Sequence, residues 1–156
     1  MDFEKQISDE SLGMTVVVKT ISRMAMSFIL LFGFYIVLYG HLTPGGGFAG
    51  GVILAIAYVL LMLAFSKDVA LAKLSNFWAS MWDNLGALSF IVIGFVGLSG
   101  GYFFYNFVSH GTPGKLLSAG IIPLCNISIA VKVGAALYAI FIGLSIYGRL
   151  VTEEEK

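Results

Sequence analysis

The chain has 156 residues, of which 58% are hydrophobic and only 12% are charged. A water-soluble domain carries about a quarter of its residues as Asp, Glu, Lys and Arg, so this composition excludes a soluble globule. Nine basic and nine acidic residues cancel to no net charge, which excludes a basic surface for nucleic acid. The single cysteine, Cys125, excludes an internal disulfide and a cysteine-based metal site. An integral membrane protein remains.

Four apolar segments are long enough to cross a bilayer, which takes roughly 20 helical residues. They are predicted at about residues 16–40, 48–66, 84–108 and 127–148. Helices satisfy every backbone polar group inside lipid. We therefore expect an all-α integral membrane protein, with four transmembrane helices forming a single membrane domain over residues 1–156.

Basic residues predict how the chain is oriented. Seven of them lie before residue 24, between the second and third segments, or after the fourth segment, and only Lys115 lies in a loop on the opposite side. Because cytoplasmic loops are enriched in Lys and Arg, both termini and the middle loop are predicted to face the cytoplasm.

The middle loop carries apolar residues at helical spacing, namely Leu71, Leu74, Trp78 and Met81. This pattern predicts a short amphipathic helix at the membrane interface, with an irregular loop as the alternative. Asp83 or Asn84 is then expected to cap the start of the third transmembrane helix.

Small residues within the spans predict close helix contacts, because helices in lipid pack best where backbones approach. The third segment has Gly94, Gly97 and Gly101 along one side, and the fourth has Ala135, Ala139 and Gly143 at four-residue steps.

A glycine-rich turn joins the first two segments and runs from His41 to Gly51. Its glycines match the spacing G-x-G-x-x-G, but a dinucleotide site needs a preceding strand, and here a membrane helix precedes. We predict a helix start, with Thr43 as the cap and Pro44 in the first turn. Phe48 either inserts into a neighbouring groove or faces lipid.

Two motifs resemble the B subunit of Mrp-type multisubunit cation/proton antiporters. The first is Pro44-Gly45-Gly46-Gly47-Phe48 followed by Gly50-Gly51, and the second is Pro123-Leu124-x-Asn126-Ile127 followed by Val131-Lys132-Val133-Gly134. The resemblance extends from about Val17 to Gly148. It is shared with the equivalent subunit in the Mrp-like module of membrane-bound hydrogenases and their sulfur-reducing relatives.

The resemblance implies an accessory subunit of a sodium (cation)/proton antiporter, without catalytic activity or a cofactor of its own. The implied partners are large antiporter-like subunits and the lipid bilayer, with sodium and protons as the transported ions. The implied location is the cell membrane of a prokaryote. Two alternatives remain open: a subunit of a hydrogenase-like respiratory complex, and a purely structural helix-packing subunit.

Lys132 and His41 are the candidate ion-path residues. A lysine within a span costs about 2.5–3.5 kcal/mol at the helix centre, and a histidine can exchange protons near neutral pH. The alternatives are that Lys132 snorkels to the nearby outer interface, since it lies five residues inside the predicted segment, and that His41 is a hydrogen-bonding anchor.

No acidic residue lies within the four predicted cores, so the counter-ion of Lys132 is expected on another subunit. Asn126 is expected either to hydrogen-bond between helices or to cap the fourth helix. The two histidines, His41 and His110, have no acidic residue near them in sequence, so we expect no metal site.

Overall fold

The computed structural model describes residues 14–65, 75–109, 111–116 and 118–154. Their secondary structure is helical, with the helices α1 (Val16–Tyr39), α2 (Gly47–Phe65), α3 (Asn76–Gly97) and α4 (Ile122–Glu154). A short 3₁₀ helix, Leu98–Gly100, extends α3. Each of the four α-helices contains a stretch long and apolar enough to cross a membrane, so the predicted all-helical, four-span fold class is confirmed.

The helices pack mainly in the order α1, α2, α4, α3. Antiparallel packing is visible at one end, where the backbone N–H of Met14 donates to the carbonyl oxygen of Ala64 at 3.0 Å. A buried cluster of Met62, Ala79, Tyr138 and Ile142 joins α2, α3 and α4. The two outer helices, α1 and α3, remain largely uncovered by the rest of the chain.

Glycines set how closely α2 approaches its two neighbours. A side chain on Gly51 would place its Cβ 2.8 Å from the carbonyl oxygen of Ala130 in α4. On the other side, a side chain on Gly50 would collide with Val37 of α1. Close backbone contact of this kind contributes packing energy between membrane helices. Because α2 makes such contacts with α1 and with α4, it connects these two helices.

The start of α3 differs from the prediction. Ser75 is the N-cap residue, and its hydroxyl accepts a hydrogen bond from the backbone N–H of Trp78 at 3.4 Å. The expectation that Asp83 or Asn84 caps this helix is therefore wrong, because both lie in its third turn. Trp78 and Met81 of the predicted interfacial helix belong to α3 itself, whereas Leu71 and Leu74 lie outside the described residues.

The end of α3 also differs, because the predicted segment 84–108 extends beyond the helix. The chain leaves the helical conformation at Gly101, which has a φ of 101° that only glycine adopts easily. The backbone N–H of Phe104 then donates to the carbonyl oxygen of Gly94 at 3.2 Å. The apolar residues that follow α3 fold back onto it, and hydropathy alone does not separate such a turn from a longer helix.

This turn explains two of the glycines in α3. A Cβ on Gly94 or Gly97 would meet the turn at residues 103–105, so these glycines pack against the following turn and not against another helix as predicted. Of the small residues predicted to line α4, Ala135 is buried, whereas a Cβ on Gly143 would meet nothing within 4 Å.

The fourth helix begins five residues earlier than predicted, at Ile122 and not at residue 127. Pro123 is tolerated there because the first turn of a helix leaves its N–H groups unpaired. Asn106 supports the start, since its Oδ1 accepts a hydrogen bond from the N–H of Ile121 at 3.1 Å. The earlier start places Lys132 ten residues into the helix, which is about 15 Å along its axis.

We predict that Gly51→Leu destabilises the protein, because the new side chain cannot fit between α2 and α4. Overpacking costs typically about 1–3 kcal/mol, and backbone atoms lie on the α4 side here. The measurement is the free energy of unfolding in mixed micelles titrated with SDS, followed by tryptophan fluorescence. Ser27→Leu, at an exposed position of α1, is the control and should leave the stability unchanged. Equal stability of both variants would contradict the packing.

Candidate functional site

The first residues of the glycine-rich turn cap the C-terminal end of α1, and the later residues lead into α2. The backbone N–H groups of Leu42 and Thr43 donate to the carbonyl oxygen of Tyr39 at 2.8 and 3.0 Å. The Thr43 hydroxyl donates to the same oxygen at 3.1 Å. The prediction that Thr43 caps α2 is therefore wrong, because its hydroxyl is engaged at the end of α1. Pro44 lies in the turn between the helices, ahead of the first turn of α2.

Asn126 of α4 caps the start of α2 from the side. Its Oδ1 accepts a hydrogen bond from the backbone N–H of Gly47 at 3.3 Å, and a side chain on Gly47 would collide with the backbone carbonyl oxygen of Asn126. Gly46, with a φ of 116°, supplies the left-handed conformation that turns the chain into α2. The structure thus brings together two motifs that lie 79 residues apart.

Gly45 and Phe48, two other residues of the glycine-rich motif, have different surroundings. A Cβ on Gly45 would lie 2.9 Å from Cγ2 of Ile36, so this glycine lets the turn rest on α1. Phe48 is 67% exposed and points away from the rest of the chain. Whether it meets lipid or a partner helix stays a prediction.

His41 lies in the same turn and is half-buried. Its Nε2 lies 3.4 Å from the backbone carbonyl oxygen of Lys115, in the loop that precedes α4. Its Nδ1 is buried and has no hydrogen-bond partner within the described part of the chain. His41 thus touches the α3–α4 loop at the end of the helices that is opposite the termini. His110 lies outside the described residues.

A charged pair lies between α3 and α4. The Lys132 ammonium donates to Oδ1 of Asp83 at 2.7 Å. The two helices come close here, since a Cβ on Gly86 would lie 2.7 Å from the backbone nitrogen of Lys132. Both charged side chains remain partly exposed, Lys132 by 48% and Asp83 by 31%.

The position of this pair corrects two expectations. The counter-ion of Lys132 belongs to the same chain and not to another subunit. Asp83 was expected at the helix start, outside the apolar core, but it lies inside the membrane-spanning stretch Phe77–Gly100. Lys132 is likewise well inside the stretch Ile122–Ser145, which weakens the case for snorkelling to the outer interface.

Lys19 is a further charged residue that the sequence did not single out. It lies in the first turn of α1 and is fully buried. Its ammonium lies 6.0 Å from the centre of the Phe65 ring at the end of α2, a distance at the limit of a cation–π contact. A cation is also favoured where a helix ends in unpaired carbonyl groups. The sequence signal that could have identified Lys19 is its position one turn inside the first predicted helix, where a charged residue is unusual.

Comparison with known proteins identifies the family. Residues 17–139 match the profile of a domain related to the MnhB subunit of the Na⁺/H⁺ antiporter. That match includes the glycine-rich turn, Asn126 and both members of the ion pair. The chain belongs to the MnhB family.

Individual relatives share only part of their length with this MnhB-family chain. A protein of Methanocaldococcus jannaschii is 35% identical over 130 residues, which are 79% of this chain and 49% of the relative. A Staphylococcus aureus protein described as antiporter subunit mnhB2 is 42% identical over 59 residues, 38% of this chain and 42% of the relative. This chain therefore spans about half the length of these relatives.

A solved structure shares the fold. One chain of the membrane-bound sulfane sulfur reductase, an archaeal respiratory membrane complex, superimposes with a TM-score of 0.70 at 35% sequence identity. The match covers 81% of this chain and 56% of that one.

We predict that Asn126→Ala destabilises the contact between α2 and α4, because the N–H of Gly47 loses its partner. Loss of a helix cap costs about 0.5–2 kcal/mol. The free energy of unfolding measures the effect. Asn84→Ala is the matched control, since the Asn84 amide donates within its own helix, to the carbonyl oxygen of Ser80 at 2.9 Å. An equal loss in both variants would argue against the cross-helix cap.

The ion pair predicts strong coupling in a double-mutant cycle of Asp83→Asn, Lys132→Gln and the double variant. Removing one partner leaves an uncompensated charge at membrane depth, so each single variant should be destabilised more than the double variant. We expect a coupling energy of at least about 1 kcal/mol in the free energy of unfolding. Effects that simply add would show that the two side chains do not interact in the folded protein.

Proposed function

We propose that the chain is an accessory subunit of a multisubunit complex that exchanges sodium for protons across a prokaryotic cell membrane. The MnhB family match and the antiporter name of the Staphylococcus aureus relative support this proposal. The observation that carries it furthest is the Asp83–Lys132 pair inside two spans. Ionisable groups at that depth are costly and mark ion or proton pathways.

The pair gives a chemical means of passing a cation. Asp83 presents the kind of oxygen ligand that sodium takes in proteins, and the Lys132 ammonium occupies one of its oxygens at 2.7 Å. A cation or a proton that reaches Asp83 competes with this ammonium for the carboxylate. Movement of the flexible lysine side chain then opens or closes the site, so ion binding is coupled to the position of one charge.

His41 completes the proposed path at the opposite end of the helices from the termini. Its Nδ1 is buried without a partner in the described part of the chain, and its Nε2 faces the carbonyl oxygen of Lys115. His41 is therefore the second candidate residue of the ion path, next to the loop that precedes α4. In the predicted orientation this is the outer side, and the proton gradient drives the export of cytoplasmic sodium.

A second host complex is favoured by a specific observation. One chain of the sulfane sulfur reductase complex matches 81% of this chain at 35% sequence identity and a TM-score of 0.70. In such a complex, redox chemistry on other subunits would drive the ion movement. The role proposed for this chain would be the same, and it would need no catalytic group or cofactor of its own.

We predict that Lys132→Ala and Asp83→Asn each lower cation/proton antiport by at least about tenfold, equivalent to 1.4 kcal/mol, without loss of the complex. The reason is that either change destroys the exchange between ammonium and cation. The measurement is sodium-dependent proton release in everted membrane vesicles that contain the native complex, with subunit content checked on the same membranes.

Asn84→Ala, next to Asp83 but bonded within its own helix, is the control and should transport normally. Full activity of both charge variants in an assembled complex would leave only a structural role for this chain. Iron and nickel analysis of the purified complex separates the two hosts, because a redox-driven complex must contain metal centres on its other subunits.

A further inference from the structure

One side of α4, next to its contact with α3, is only partly covered by the described part of the chain. Lys132, Ala136, Ala139 and Gly143 fall within about 60° of each other around the helix axis at 3.6 residues per turn. We call these four residues the Lys132 side. Neighbouring helices do not cover it fully, since the Lys132 side chain is 48% exposed and Gly143 is exposed as well.

Packing within the chain does not account for Gly143. At Gly51 and Gly86, an added Cβ would lie 2.8 and 2.7 Å from backbone atoms of α4, so the contacts of α2 and α3 require glycine there. At Gly143 an added Cβ would meet nothing within 4 Å. Within the described residues, no contact requires a small residue at this position.

Lipid is a poor neighbour for this side because of the ion pair. The mutual bond of Asp83 and Lys132 uses one ammonium N–H out of three and one carboxylate oxygen out of two. The rest of the pair is partly exposed at a depth where hydrocarbon offers no hydrogen bonds. A buried ion pair is stable only when its remaining donors and acceptors are also satisfied.

We propose that the Lys132 side is the seat of a transmembrane helix from another subunit of the same complex. That helix places a neutral hydrogen-bonding side chain, a hydroxyl or an amide, beside Asp83 and Lys132. A neutral group fits because the pair is already balanced in charge. The small residues from Ala136 to Gly143 let the partner backbone come close. This inference rests on the proposed function, in which the chain works inside a complex.

The exposed side of the opposite outer helix, α1, has a different character. The exposed side of α1 carries large apolar residues and no charge at mid-span, namely Phe28, Leu31, Phe32 and Tyr35. This contrast gives an internal control, because the two surfaces should have different neighbours in the intact complex.

The test uses photo-crosslinking in the native complex, in a background with Cys125→Ala, which removes the single cysteine. Ala139→Cys and, as the control, Leu31→Cys are labelled with a benzophenone maleimide and irradiated in the membrane. We expect the Ala139→Cys variant to crosslink to a subunit that mass spectrometry identifies as a component of the same purified complex. The Leu31→Cys variant should give no such product.

A second variant tests the close approach without disturbing the fold. Gly143→Leu adds a side chain into open space of this chain, so the chain should fold but should be recovered with the complex at least tenfold less. Ser27→Leu, on exposed α1, should be recovered normally. Normal recovery of Gly143→Leu would overturn the inference.

The outcomes separate the two proposals. If the wild-type chain copurifies with other subunits but Ala139→Cys crosslinks to none of them, or crosslinks to a second copy of this chain, the assigned surface is wrong and the accessory role stands. If the wild-type chain copurifies with no other subunit, both proposals fall.

Discussion

The constraint on which the rest depends is that a charged pair at membrane depth must be shielded from lipid. The chain supplies both charges, Asp83 on α3 and Lys132 on α4, and joins them at 2.7 Å. The described part of the chain covers this pair only in part. Its helices pack mainly in sequence from α1 through α2 and α4 to α3, so the central helices are shielded and the pair stays open on one side. A pair left open in this way fits a chain that works beside other subunits, as we propose for this member of the MnhB family.

The glycine-rich turn and Asn126 serve the same arrangement from the other end of the helices. The Asn126 amide oxygen holds the first N–H of α2 at 3.3 Å, and the glycines that follow let α2 lie against α4 backbone to backbone. This contact fixes the position of α4 relative to α2. Lys132, which binds Asp83, lies six residues after Asn126 in the same helix. The motif that looks most like a nucleotide-binding sequence is therefore a packing device, and its chemistry is that of helix ends.

Hydropathy was enough to predict the four spans, because each helix needs an apolar stretch of bilayer length. It could not give the ends of α3 and α4. The Phe, Tyr and Val residues after Gly101 continue the apolar character of α3 but fold back on it, and α4 already begins at Ile122, just before Pro123. A helix predicted to begin at residue 84 makes Asp83 a capping residue, so the sequence does not predict that Asp83 pairs with Lys132. Once α3 begins at Asn76, Asp83 is two turns inside the helix and faces Lys132. A partner 49 residues away cannot be deduced from spacing alone.

The measurement that tests this account most directly is a cryo-electron microscopy map of the native complex in a lipid nanodisc, with attention to what lies against Asp83 and Lys132. The account predicts the ion pair within the hydrocarbon thickness, facing a helix of another subunit or water held by one. Acyl-chain density directly against the pair, or the pair standing in the aqueous headgroup region, would contradict the central claim that these two charges are an enclosed feature of the complex.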